Sequence, residues 1–190
     1  MKRAWVFSVL LVLCDPLSVG AEVARYNSGG SDFARAIAVG PSGNVYVTGQ
    51  SCQSQTNCDY ATVAYDRNLK RLWVARYSGP ANGEDDPSAI ATDSLGNVYV
   101  TGESKGSETN TDYATVAYDA NGNELWVARY NGPGNWGDSA VALAVGPSGT
   151  IYVTGYSSGS ERTADYATVA YDSSGNELWV VRYNGPGEMM

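Results

Sequence analysis

Histidine is absent from this chain. Its absence removes Ser-His-Asp and Cys-His catalysis and the commonest transition-metal ligand. Charge is scarce too: 17% of residues are charged, with 12 basic against 20 acidic. The resulting net charge of −8 repels phosphate backbones and anionic membranes, so no nucleic-acid partner is expected. Cysteine occurs three times, and only Cys52 and Cys58 lie beyond the first residues, in one polar stretch. Two thiols without histidine or a further cysteine cannot complete a tetrahedral zinc shell, so no metal site is expected. In an exported chain such a pair reads as a disulfide, here a local staple. Closing so short a loop places it at the low end of ~2–4 kcal/mol. Long apolar runs are missing as well. The run Ala4–Cys14 is too short to cross a bilayer, so no membrane span is expected.

That run nevertheless carries information. Lys2 and Arg3 precede it, and Val19-Gly20-Ala21 ends it in small residues, which is the pattern of a secretory signal peptide over residues 1–21. Leu13 stands where a lipobox wants a small residue before Cys14, so the ordinary secretory reading is preferred to lipidation. Removing Lys2, Arg3 and Asp15 takes the mature chain from −8 to −8 − 2 + 1 = −9. The protein is therefore expected to be secreted or to reside in the cell envelope.

What the chain does have is repetition. Asp112–Gly132 reads DYATVAYDANGNELWVARYNG, and the pattern recurs from Asp59 and from Asp165. The starts are 53 apart both times (112 − 59 and 165 − 112). Trp73, Trp126 and Trp179 keep that step, as do the VYVTG-type runs at Val45, Val98 and Ile151. A fixed period of this size signals a repeat architecture. Each unit holds four short runs rich in Val, Ile, Tyr, Thr and Ala, with no helical spacing. The runs are Phe33–Val39, Val45–Gly49, Tyr60–Tyr65 and Leu72–Tyr77 in the first unit, with counterparts in the others.

The connections alternate in kind. Segments such as Gly40-Pro41-Ser42-Gly43-Asn44 and Asp119-Ala120-Asn121-Gly122-Asn123 suit type I turns with a G1 bulge. Leu69 stands where Gly122 and Gly175 do, so its turn is expected to be rearranged or strained. The remaining connections, Ser51–Cys58, Ser104–Thr111, Ser157–Ala164, Ser78–Glu84 and Asn131–Gly137, are longer and vary more. An up-and-down sheet sends these to the opposite end from the tight turns, and that end is the expected binding face.

Four antiparallel strands per unit make the blade of a β-propeller. The motifs GPSGNVYVTG, DYATVAYDANGNELWVARYNGPG and GDSAVALAV resemble the bacterial SBBP β-propeller repeat and, more distantly, NHL-type blades, over about residues 22–187. The resemblance implies an all-β propeller fold in a secreted or cell-surface protein, with no single activity. The expected organisation is residues 1–21 as signal, 22–31 as an extra strand and lead-in, and blades at 32–84, 85–137 and 138–187, with 188–190 as a tail. Three blades are too few for a ring, since propellers typically have about four to eight. The array is thus an incomplete ring, or one completed by a second copy in a homodimer.

No one-off catalytic cluster is visible. The recurring acids, among them Asp32, Asp85 and Asp138, read first as turn and strand-end residues that bond nearby backbone. Asp85 and Asp138 adjoin the variable connections and are carried forward as candidate ligand contacts. They join Asn135 and Trp136, an aromatic on a polar loop suited to stacking on a sugar ring or a partner. No cofactor is expected beyond weak Ca²⁺ binding between carboxylates of adjacent units. Three functions compete: an exported scaffold or binding module for a protein or glycan, a polysaccharide-active enzyme using Asp and Tyr at the ring centre, and a structural fragment of a longer repeat protein.

Overall fold

A computed structural model describes residues 23–54, 57–107, 110–159 and 163–185. The expected signal peptide lies outside the described residues. Within them the chain forms twelve strands and no helix. Blade 1 comprises β1 (Ser31–Val39), β2 (Val45–Ser54), β3 (Asn57–Tyr65) and β4 (Arg71–Tyr77). Blade 2 comprises β5 (Asp85–Thr92), β6 (Val98–Lys105), β7 (Thr111–Tyr118) and β8 (Glu124–Tyr130). Blade 3 comprises β9 (Asp138–Val145), β10 (Ile151–Ser158), β11 (Ala164–Tyr171) and β12 (Glu177–Tyr183). Each is an antiparallel meander in chain order. The first strands β1, β5 and β9 pack side by side, and the three sheets do not close a ring.

The tight turns follow from their residues. In the β7–β8 turn, Asp119 N–H donates to Asn123 O at 2.8 Å and Gly122 N–H to Asp119 O at 3.0 Å, with Gly122 at φ 84°. The Asp119 carboxylate accepts from the Asn123 side chain and from the backbone N–H of Asn121 and Asn123, which holds its pKa below the ordinary value. The β3–β4 turn keeps the same two backbone bonds, at 2.9 and 3.0 Å, although Leu69 replaces glycine. Leu69 therefore sits at φ 61°, so this turn is strained and not rearranged.

Two sequence expectations are corrected. The second and third runs of each unit extend beyond their apolar stretches: Gln50, Ser51 and Cys52 pair in register with Tyr60, Asp59 and Cys58. Much of each supposed loop is thus a continuing hairpin, because neighbouring pairs propagate the ladder through residues of modest β propensity. The expected extra strand at 22–27 is not seen over its described residues: 23–28 are irregular, and Val23, Ala24 and Tyr26 line a groove over the face of blade 1 with Val47 and Val63. Their tyrosine keeps a strand-like role all the same: Tyr26 Oη accepts from Arg76 Nη1 at 3.4 Å.

Blade 2 packs on both faces, and the two faces differ. One face of blade 1 carries Tyr46, Tyr60, Ala64 and Tyr77, packed on Val98, Val100, Ala114, Val116 and Tyr118 of blade 2. The next joint sets Tyr99, Tyr113, Ala117 and Tyr130 against Ile151, Val153, Ala167, Val169 and Tyr171. Each blade thus has an aromatic trailing face and an aliphatic leading face, set by alternation along the strands. Burial of each such side chain contributes roughly 1.5–3 kcal/mol. Polar pins fix the alignment. Trp73 Nε1–H donates to Ala120 O at 3.0 Å and Trp126 Nε1–H to Ser173 O at 3.1 Å. Tyr113 Oη donates to Ala167 O at 3.2 Å.

A recurring arginine ties strand to strand and blade to blade. Arg129 donates to Ser104 Oγ (2.6 Å), Ser104 O (2.9 Å), Asp112 Oδ2 (2.8 Å) and, across the joint, Tyr77 Oη (2.9 Å). Arg182 repeats the arrangement with Ser157, Asp165 and Tyr130.

Candidate ligand-binding face

The variable connections gather at the end of the blades opposite the tight turns. In blade 1 a disulfide joins Cys52 and Cys58, which face each other across the β2–β3 hairpin. Between blades 2 and 3 lies a small polar cleft of about 140 Å³ lined by Gly106, Ser107, Asn110, Asp112, Asn131 and Asn135.

Asn135 is the hub of this cleft. Its N–H donates to Gly132 O at 3.1 Å, and its backbone adopts φ 51°, a left-handed conformation that asparagine tolerates better than most residues. Asn131 Nδ2 donates to Asn135 Oδ1 at 2.7 Å, and Asn110 Nδ2 donates to Asn135 O at 2.5 Å. The second bond ties the β6–β7 hairpin to the connection that leaves β8, so the wall of the cleft is stitched from both segments. Trp136 follows directly and is 39% exposed.

Asp85 and Asp138 take a different place. Both are wholly buried. Asp138 accepts from Gly132 N–H at 2.6 Å and from Ser158 N–H at 2.9 Å. Asp85 accepts from Gly79 N–H at 2.6 Å and from Lys105 N–H at 3.0 Å. Burial raises the Asp85 pKa despite these bonds. Each carboxylate anchors the connection that enters its blade. For Asp138 that connection is the one carrying Asn135 and Trp136. Of the four candidates, then, two stand at the surface and two lie beneath as positioning groups.

Sequence reasoning did not single out the inner rim between blades 1 and 2. There Arg35 donates twice to Asp86, Nε to Oδ1 at 2.9 Å and Nη2 to Oδ2 at 2.6 Å. Glu103 lies close by, its pKa raised by burial and further by the charges of Asp86 and Glu84. Glu84, Glu103, Lys105, Gly83 and Thr111 line an adjoining hollow of about 280 Å³. The available signal was departure from the repeat: the units carry Gln50, Glu103 and Tyr156 at one position, and Arg35, Ser88 and Val141 at the other. Among the described residues, no group of three or more His, Cys, Asp or Glu could hold a metal ion. No helix there is long and apolar enough to cross a membrane.

Three four-stranded meanders packed face on face define a β-propeller-type array with an open ring. The family model described as SBBP, beta-propeller repeat, matches residues 73–108, from β4 into the connection after β6. Among solved structures, a crystal structure of the eukaryotic initiation factor is similar at a TM-score of 0.53 and 8% identity, covering 84% of this chain and 34% of that one. The periplasmic gluconolactonase PpgL of Pseudomonas aeruginosa is similar at a TM-score of 0.46 and 11% identity, covering 82% of this chain and 59% of that one. The chain thus spans about a third of the first structure and under two thirds of the second. At 8% identity the likeness to the first shows the fold alone. No curated protein matches the sequence.

Proposed function

We propose that the protein is an exported, non-enzymatic binding module whose variable-loop face takes a neutral carbohydrate. The observation that carries this reading is the cleft between blades 2 and 3. Asn110, Asn131 and Asn135 bring planar amide donors and acceptors to one small site, and the part-exposed Trp136 follows Asn135 in the chain. Amides match the paired hydroxyls of a sugar, and an indole offers its apolar ring face. Asp138 supports the site from below, through its bond from Gly132 N–H. Export is supported by the charged-then-apolar start of the chain and by the Cys52–Cys58 bridge.

A glycan array probed with the mature chain tests the reading. Binding is expected, with Trp136→Ala and Asn110→Ala each losing about tenfold or more in affinity. Absence of binding to any glycan, or equal binding by both variants, removes it; capture of a protein ligand by the same loops would replace the sugar with a protein partner. One observation favours a second reading, polysaccharide turnover at the inner rim. The raised pKa of Glu103 next to the Arg35–Asp86 pair is what a general acid requires. Turnover abolished by Glu103→Gln would favour the enzyme.

A further inference from the structure

The chain makes one kind of joint twice, so the partner that each face requires can be read from the chain itself. At both joints an indole lies over a turn glycine. A Cβ on Gly122 would stand 2.6 Å from Trp73 Cδ2, and one on Gly175 would stand 2.6 Å from Trp126 Cδ2. At both joints an arginine of the following blade donates to a tyrosine of the preceding one, at 2.9 Å. The joint therefore needs an aromatic trailing face, and a leading face with valines, a glycine turn and a free arginine donor.

The two outermost faces are not equivalent. Blade 3 presents a complete trailing half in Tyr152, Tyr166, Trp179 and Tyr183, exposed by 37, 69, 42 and 59%. Blade 1 presents a leading half whose slots are taken. Leu69 occupies the glycine position at φ 61°. Arg76 already donates to Tyr26 of the chain's own lead-in. Val23 and Ala24 run along the same groove, and Ala61, Val63 and Tyr65 on that face are buried.

We propose that the outer face of blade 3 is a docking surface for a further blade of this repeat type that carries glycine in its third-to-fourth-strand turn, and that Leu69 bars blade 1 of a second copy from that surface. The surface continues the series of the two joints already formed, with the same residues at the same positions. Trp179 would donate to a turn carbonyl as Trp73 and Trp126 do, and Tyr183 would accept from an arginine as Tyr77 and Tyr130 do. Blade 1 cannot supply that turn, because a Leu69 side chain would enter the space the indole needs. A ring of two copies would require the barred joint twice. Head-to-tail contacts of this kind grow into open chains or rings when unblocked, and Leu69 blocks them.

Sedimentation velocity of the mature chain across a concentration series tests both halves. In the background Val23→Ser/Tyr26→Ser, which unpins the lead-in from blade 1, the Leu69-bearing chain is expected to remain monomeric. Adding Leu69→Gly relieves a left-handed leucine, so the fold is expected to survive, which a melting curve checks. Self-association of the triple variant is expected to tighten by roughly 10- to 100-fold, the range that relief of overpacking supplies. Adding Trp179→Ala should abolish it. Equal association with leucine and with glycine at position 69 overturns the bar. A folded triple variant that stays monomeric, or association that survives Trp179→Ala, overturns the docking surface.

Discussion

Replacing Gly122 by alanine separates two costs that the turn imposes. The first is backbone conformation, since Gly122 sits at φ 84°. A left-handed conformation costs a non-glycine residue about 1 kcal/mol. The second is space, because the new Cβ would lie 2.6 to 2.9 Å from three atoms of the Trp73 ring. That indole is pinned by its bond to Ala120 O and packed against Tyr46 and Tyr118. Forcing such a ring aside costs roughly 1–3 kcal/mol. Gly149 provides the control: its φ is 82°, but its nearest neighbour, Ser173 Cβ, is 4.0 Å away. Gly149→Ala is therefore expected to cost about 1 kcal/mol and Gly122→Ala about 2–4 kcal/mol. Urea unfolding followed by tryptophan fluorescence measures both, and the midpoint shift at unchanged slope reads the difference. If the two variants agree within about 0.5 kcal/mol, the indole does not depend on a bare glycine and the account of the joint fails.

Two further predictions concern charge. Arg129→Met strips donors from Asp112, Ser104 and Tyr77; because the pair is part-exposed, the expected loss is about 2–3 kcal/mol, below the full cost of a buried pair. Arg76→Met should cost less, since its tyrosine contact is 3.4 Å long, and chemical denaturation of the two variants ranks them. For Glu103, burial raises the folded pKa above the ordinary 4.5, so the fold favours the protonated acid and stability is lost as pH rises through the raised value. Glu103→Gln should then melt higher than the parent at neutral pH, with the gap closing below pH 4.5; a gap that widens on acidification refutes the assignment.

The period of the chain and its tight turns were legible because they depend on local chemistry. The Asp119 turn can be written from Asp, Gly and Asn alone, and strand runs such as Tyr113–Tyr118 announce themselves by composition. What crosses a joint was not legible. Gly122 reads as a turn signal, and nothing near it in sequence says that Trp73 lies on top. Asp85 and Asp138 were legible as acids that bond nearby backbone; that one of the partners would be an N–H of the preceding connection, Gly79 or Gly132, was not. Ser51 and Gln50 looked like loop residues because propensity ignores the ladder that neighbouring pairs impose. In the cleft, Trp136 stood out as a departure from the repeat, with Gly83 as its counterpart, but Asn110 did not, since its contact comes from the distant connection after β8.

A protein two of whose three units carry both halves of the same fastening has an unusual freedom in its gene. Inserting or deleting one complete 53-residue period in register returns a chain in which each repeat Trp that is followed by another unit still meets a neighbouring turn of the right shape. Length can therefore change in whole steps without redesigning an interior, provided that the unit copied is one of the two with glycine at the turn. A duplicate of the leucine-bearing unit placed mid-chain would break the series.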